Sequence, residues 1–175
     1  MTRTIKTEAV VLRKRNLLNK DIVLTVFSEK KGKIAVFAKG IRKITSRRQP
    51  HIQTGNLITV LLSEKNGRFY LQETTLISGF SKIKDSEIKH DPLYTMLFVL
   101  ERILPENQQE DRVYELTKHF LIELSESEEF TTIRLAYYLN SLMRILGYIY
   151  VGKPLSDLRR EIEEIIHEKI PSLDF

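Results

Sequence analysis

Two hydrophobic periods divide this chain. Up to about residue 80, apolar positions alternate or run in short blocks of strand length; beyond it they recur every three or four residues. The first part predicts five strands: Ile5 to Arg13, Asp21 to Phe27, Lys33 to Lys39, Leu57 to Ser63 and Arg68 to Ile77. Successive side chains point to opposite faces of a strand, so Ile34, Val36 and Ala38 share one face of the third. The second strand sets Ile22, Leu24 and Val26 against Val23, Thr25 and Phe27, a pattern suited to burial on both sides. Glu29 to Gly32 and Glu64 to Gly67 are hairpin turns. Asn66-Gly67 is the stronger cue, because both positions tolerate positive φ. Tight turns, with one longer excursion after the third strand, predict a small five-stranded β-barrel of OB-fold type rather than a βαβ fold.

The helical part predicts four helices. Asp91-Pro92 reads as an N-cap followed by proline at the first helical position, opening a helix with Leu93, Met96, Leu97, Leu100, Ile103 and Leu104 on one face. Pro105 stops it. A second helix carries Val113, Leu116, Phe120, Leu121 and Leu124. A third starts at Thr131 or Thr132, carries Leu135, Leu139, Leu142, Met143 and Leu146, and ends at Gly147. A fourth, capped by Ser156 or Asp157, bears Leu158, Ile162, Ile165 and Ile166. The expected class is α+β in two domains: an OB-fold barrel over residues 1–79 and an all-α domain over 80–175.

Charge follows the same division. The net charge is +5, but residues 1–80 carry +11 and residues 81–175 carry −6. A basic barrel beside an acidic helical domain points to two units with different partners, and the basic one attracts polyanions. Cysteine is absent, which excludes disulfides, a thiol nucleophile and a cysteine zinc site. No apolar run reaches the roughly 18–20 residues that span a bilayer. The N-terminus lacks the apolar core of a secretory signal. A cytoplasmic protein is the expectation.

Chemistry of the catalytic kind is hard to find. There is no Gly-rich phosphate loop. His51, His90, His119 and His167 lie far apart with no metal-ligand spacing, so no metal or cofactor is expected. The many carboxylates of the helical part read as solvated helix faces, and no enzyme is expected. The segment after the third strand is different. Lys39, Arg42, Lys43, Arg47 and Arg48 form a cationic run without an acid. Such a run faces water or an anion, because an unpaired buried charge costs several kcal/mol. With Arg13, Lys14 and Arg15 at the end of the first strand, it forms the candidate nucleic-acid-binding set. Phe37, Phe69 and Tyr70 lie on strands, where an aromatic more often belongs to a core. Phe69 and Tyr70 are adjacent and must point opposite ways, so one of the two is a candidate stacking platform.

These residues resemble the RecO family of bacterial recombination mediators. Glu8 to Arg13 resembles its opening strand, Asp21 to Thr25 the second, and Glu29 to Lys33 the turn that follows. Ala38-Lys39-Gly40-Ile41-Arg42-Lys43 with Ser46-Arg47 resembles its basic signature, and Leu146-Gly147-Tyr148 the end of its central helix. The resemblance implies binding to single- and double-stranded DNA, annealing of complementary strands, partnership with RecR, and contact with the tail of single-strand DNA-binding protein so that RecA is loaded. It implies a role in DNA damage repair and recombination without catalysis. Two departures stand out. Ile52-Gln53-Thr54-Gly55 replaces the usual Leu-Gln-Pro-aromatic. The region of the family's four-cysteine zinc module is shortened to Ile149 to Ser156, so zinc is not expected.

Arg102, Arg112, Lys118, Arg134 and Arg144 are the candidate partner-binding cations on the helices. Leu173-Asp174-Phe175 faintly resembles the kind of tail that a partner-binding groove of the helical domain would hold. Two other readings compete: an RNA-binding OB adaptor, and a protein-binding adaptor whose basic loop meets an acidic protein.

Overall fold

The computed structural model describes residues 3–19, 21–40 and 47–172. Five strands, β1 (Arg3–Asn16), β2 (Ile22–Ser28), β3 (Gly32–Ala38), β4 (Leu57–Lys65) and β5 (Arg68–Ser78), close into a barrel in the order β1-β2-β3-β5-β4. This is the OB arrangement. Every neighbouring pair is antiparallel except β3 and β5, which run parallel and pair through Val36↔Phe69 and Phe37↔Tyr70. The long β1 serves two partners. Its first part pairs with β4 and its second with β2, and a register shift between Val11 and Arg13 bends it from one to the other. Ile22, Leu24, Val26, Ile34, Val36, Ile58, Val60, Leu62 and Phe69 fill the interior. Ile52 is fully buried there too, so the stretch that departs from the family pattern still supplies the core.

Both turns carry their residues for a conformational reason. Asn66 and Gly67 have φ of 51° and 71°, the pair of positive values that a tight hairpin needs. Gly32 has φ of 68°, and a Cβ there would lie 1.7 Å from the Gln108 carbonyl oxygen. That contact arises because the described chain divides into two compact units that are not sequential. Residues 104–110 group with residues 1–79, and residues 80–103 group with 111–175. Within the first unit, the Asn107 amide donates to the Lys33 carbonyl at 2.9 Å.

The second unit holds α1 (Ser81–Lys84), α2 (Glu87–Ile103), α3 (Asp111–Glu126), α4 (Thr132–Ile145) and α5 (Leu155–Ile166). The expected start at Asp91-Pro92 is corrected: α2 begins at Glu87 and Pro92 lies inside it. Proline removes one interior hydrogen bond, but a tertiary contact fixes the turn before it. Lys89 is buried, and its ammonium donates to the Ser125 carbonyl at 3.1 Å, serving an orphan acceptor in the last turn of α3. The cap of α5 is corrected as well: Pro154 precedes the helix, and its carbonyl accepts from the Leu158 amide at 3.0 Å. The α4 start agrees with the sequence pattern, with Thr131 accepting from the Arg134 amide at 3.3 Å. Phe120, Leu124, Leu139, Leu142, Leu158 and Ile162 are fully buried in this unit.

Candidate nucleic-acid interface

Strand parity places an aromatic pair on the outside of the barrel. Val36 and Phe69 point into the core, being 1% and 5% exposed, so their neighbours Phe37 and Tyr70 must point out. The parallel pairing of β3 with β5 then sets the two rings side by side, with centroids 5.7 Å apart and planes tilted by 34°. Each ring has a cation over it. Lys39 Nζ stands 5.4 Å from the Tyr70 centroid, and the Arg68 guanidinium carbon 6.0 Å from that of Phe37. Among the described residues, no carboxylate pairs with Lys39 or Arg68.

These side chains line a cleft of about 800 Å³ together with Arg48, Ser63, Lys65, Asn66, Leu71 and Gln72. Gln72 Nε2 donates to Ser63 Oγ at 2.8 Å, holding two polar groups beside Tyr70. A stacking surface ringed by cations and amides is the chemistry that holds a nucleotide: a π-face for the base, positive charge for the phosphate.

The candidate cations divide among several roles. Arg13 and Arg15 are exposed on the outward face of β1, and Arg15 shares a register row with Val23 and Phe37. Lys14, of opposite parity, donates to Gln53 Oε1 at 3.2 Å. Lys39 stands over the aromatic pair, and Arg47 is exposed in the turn that follows. Arg42 and Lys43 lie outside the described residues. Arg48 is turned inward to the strands: its two terminal nitrogens donate to the Leu71 carbonyl at 3.1 Å and the Lys39 carbonyl at 3.0 Å.

Sequence pattern alone passes over Lys65 and Arg68, as flanks of a turn, reads Phe37 as a core aromatic, and leaves open which of Phe69 and Tyr70 faces out; the buried Phe69 makes it Tyr70. A signal for Phe37 is present, since it alternates with Val36 and Ala38 and so falls on the outward parity. Nothing local reveals that Tyr70 is its neighbour.

The helical cations behave differently. Arg102 makes a two-pronged bond to Glu168, at 2.7 and 3.2 Å, contacts Glu101 and lies 4.5 Å from the Phe98 centroid. Arg134 forks onto Glu123 with both bonds at 2.5 Å, and the Tyr138 hydroxyl donates to the same carboxylate at 2.5 Å. The bonds from Arg134 hold the Glu123 carboxyl below its usual range. Burial, then the bond to Glu123, pushes the Tyr138 phenol up. Lys118 lies 5.8 Å from the Tyr114 centroid, while Arg112 and Arg144 are exposed. Leu173 to Phe175 lie outside the described residues. No helix among the described residues is long and apolar enough to cross a membrane.

Residues 1–80 match the family model described as recombination protein O N terminal. The chain is also similar to curated proteins named DNA repair protein RecO. That of Caldanaerobacter subterraneus subsp. tengcongensis is 29% identical over 150 residues, covering 85% of this chain and 60% of the relative. That of Thermoanaerobacter sp. is 29% identical over 147 residues, covering 84% and 59%. That of Chlorobium limicola is 26% identical over 162 residues, covering 87% and 62%. The chain therefore spans about 60% of the length of these relatives.

Proposed function

From the match of residues 1–80 to the recombination protein O N-terminal family model, we propose that this chain is a non-catalytic DNA-repair and recombination mediator. It binds single- and double-stranded DNA through the outer face of its barrel and anneals complementary strands. It acts with RecR and with the C-terminal tail of single-strand DNA-binding protein to help load RecA onto coated DNA. The helical domain is the partner-docking part. The observation that carries this reading is the Phe37–Tyr70 pair flanked by Lys39 and Arg68. Stacking on an aromatic is worth about 1–3 kcal/mol per base and tolerates any sequence, which suits a mediator that must act on whatever strand is exposed.

Within the helical domain, Arg112 and Arg144 are better placed to meet an acidic tail than Arg102 or Arg134, whose guanidinium groups already hold carboxylates of this chain. The groove lined by His119, Ile122, Glu123, Glu126 and Tyr138 carries the wrong charge for such a tail.

The test is annealing of complementary strands coated with single-strand DNA-binding protein, with the tail present or deleted, alongside anisotropy titrations of matched DNA and RNA oligomers. Tail-dependent annealing and tight DNA binding are the expected results. Preference for RNA would move the protein to the RNA-adaptor class. Absence of binding to any oligonucleotide at low salt would leave a protein-binding adaptor.

A further inference from the structure

Within the proposed DNA-binding face, and resting on that reading, the geometry assigns Arg48 a positioning role. We infer that its guanidinium splints the β3–β5 seam and so sets the aromatic pair, without contacting phosphate itself.

The parallel seam has only two paired rungs, Val36↔Phe69 and Phe37↔Tyr70. All other seams of the barrel are antiparallel and run for at least seven rungs. The short seam is therefore the place where the barrel is least held by backbone, and Phe37 and Tyr70 are its last rung. Just beyond that rung β3 ends at Ala38, with Lys39 in the turn after it, while β5 continues as Leu71; the Lys39 and Leu71 carbonyls are the two that Arg48 bonds. One guanidinium thus takes the place of a missing rung. The planar fork of arginine can reach two acceptors at once in fixed directions, which lysine cannot. The same bond to the Lys39 carbonyl fixes the backbone of the residue whose ammonium lies over Tyr70. A second anchor sits next door, where the Gly40 amide donates to Asp21 Oδ1 at 2.8 Å. Arg48 thus stands apart from Arg47, which is exposed and makes no such bond among the described residues.

The discriminating experiment compares Arg48→Lys, Arg48→Gln and Arg47→Gln by three readouts. These are the affinity for a 2-aminopurine-labelled deoxythymidine oligomer across a salt series, the quench of the 2-aminopurine at saturation, and amide hydrogen exchange over residues 36–40 and 69–72. If Arg48 positions the pair, Arg48→Lys lowers affinity roughly tenfold, as expected for loss of charged hydrogen bonds. It also reduces the saturating quench, speeds exchange at the seam, and leaves the salt slope as in the wild type. A fall in the folded fraction alone would weaken apparent affinity but leave the saturating quench intact. Arg47→Gln flattens the slope by about 0.7 with exchange and quench unchanged.

Arg48→Lys binding like the wild type, with Arg48→Gln flattening the slope, would overturn the inference and make Arg48 a phosphate contact. Should the Arg48 variants fail to fold, the wild type still decides. Its Arg48 Nη–H resonances are expected to be slow to exchange and to stay in place as unlabelled oligomer is added. Fast exchange in the free protein would reject the splint. If the wild type binds no oligonucleotide, the function proposed above fails, while the exchange data still judge the splint.

Discussion

The two units use the same cations in opposite ways. On the barrel, Lys39 and Arg68 lie over aromatic rings and Arg48 holds backbone carbonyls, so no carboxylate of the described chain neutralises them. In the helical unit, Arg102 and Arg134 also lie over aromatic rings, but each is forked onto a glutamate. Charge left without an acid is available to an outside polyanion. Charge already paired contributes to the fold and has little left to offer a ligand. The difference follows from composition, since residues 1–80 hold few acids to pair with and residues 81–175 hold an excess.

The largest way to break this comparison acts on the helical unit. Phe120 is fully buried and packs edge-on against Phe130 and Tyr138. Phe120→Ala should destabilise that unit by about 3–5 kcal/mol, read by chemical denaturation. Oligonucleotide binding by the barrel should survive at temperatures where the protein remains folded. Equal loss of binding would show that the two roles do not separate.

Next in size is the aromatic pair. Phe37→Ala and Tyr70→Ala should each weaken single-strand binding by about 1–3 kcal/mol, with a smaller effect on duplex, measured by anisotropy. Unchanged affinity in the double variant removes the platform. Smaller again, Lys39→Gln and Arg68→Gln should each flatten the salt slope by about 0.7. Arg102→Gln should leave the slope alone and lower thermal stability instead.

The paired carboxylates give an acid dependence. The bonds from Arg134 depress Glu123, and those from Lys169 and the Ile170 amide depress Glu163, both from a usual value of 4.5. A depressed folded-state pKa means the stabilisation is complete above that usual value and is lost as the pH falls through the folded-state pKa. Thermal midpoints measured from pH 6 down to pH 3 should therefore fall in the acid range, and fall less steeply in Glu123→Gln with Glu163→Gln. An identical acid slope in that double variant would assign the effect to other carboxylates. The smallest change belongs to Arg112→Gln and Arg144→Gln, each expected to shift binding of an acidic peptide by less than about 1 kcal/mol, as read by calorimetry.

Much of the barrel is legible in the amino-acid pattern. Strand count, turn positions and the inward face of β3 all follow from parity and from Asn-Gly and Gly32, because these signals are local. The α2 start is misleading for the converse reason. Asp91-Pro92 looks like a helix opening by local rules, but α2 begins at Glu87, where the Lys89 amide bonds the Ser86 carbonyl and the Lys89 ammonium reaches the end of α3. The site is half legible. The cationic run is plain, yet its members separate into an exposed Arg47, a ring-capping Lys39 and a strand-bridging Arg48, a distinction that charge alone does not carry.

Strand alternation, helical period and the split of charge are properties of the linear chain, since each depends on residue types and on neighbours a few positions apart. The adjacency of β3 and β5 is of another kind. It joins segments more than thirty positions apart, and closure of a five-stranded barrel forces it. That closure makes neighbours of Phe37 and Tyr70 and sets Arg48 against Leu71, and the candidate site exists only because of it.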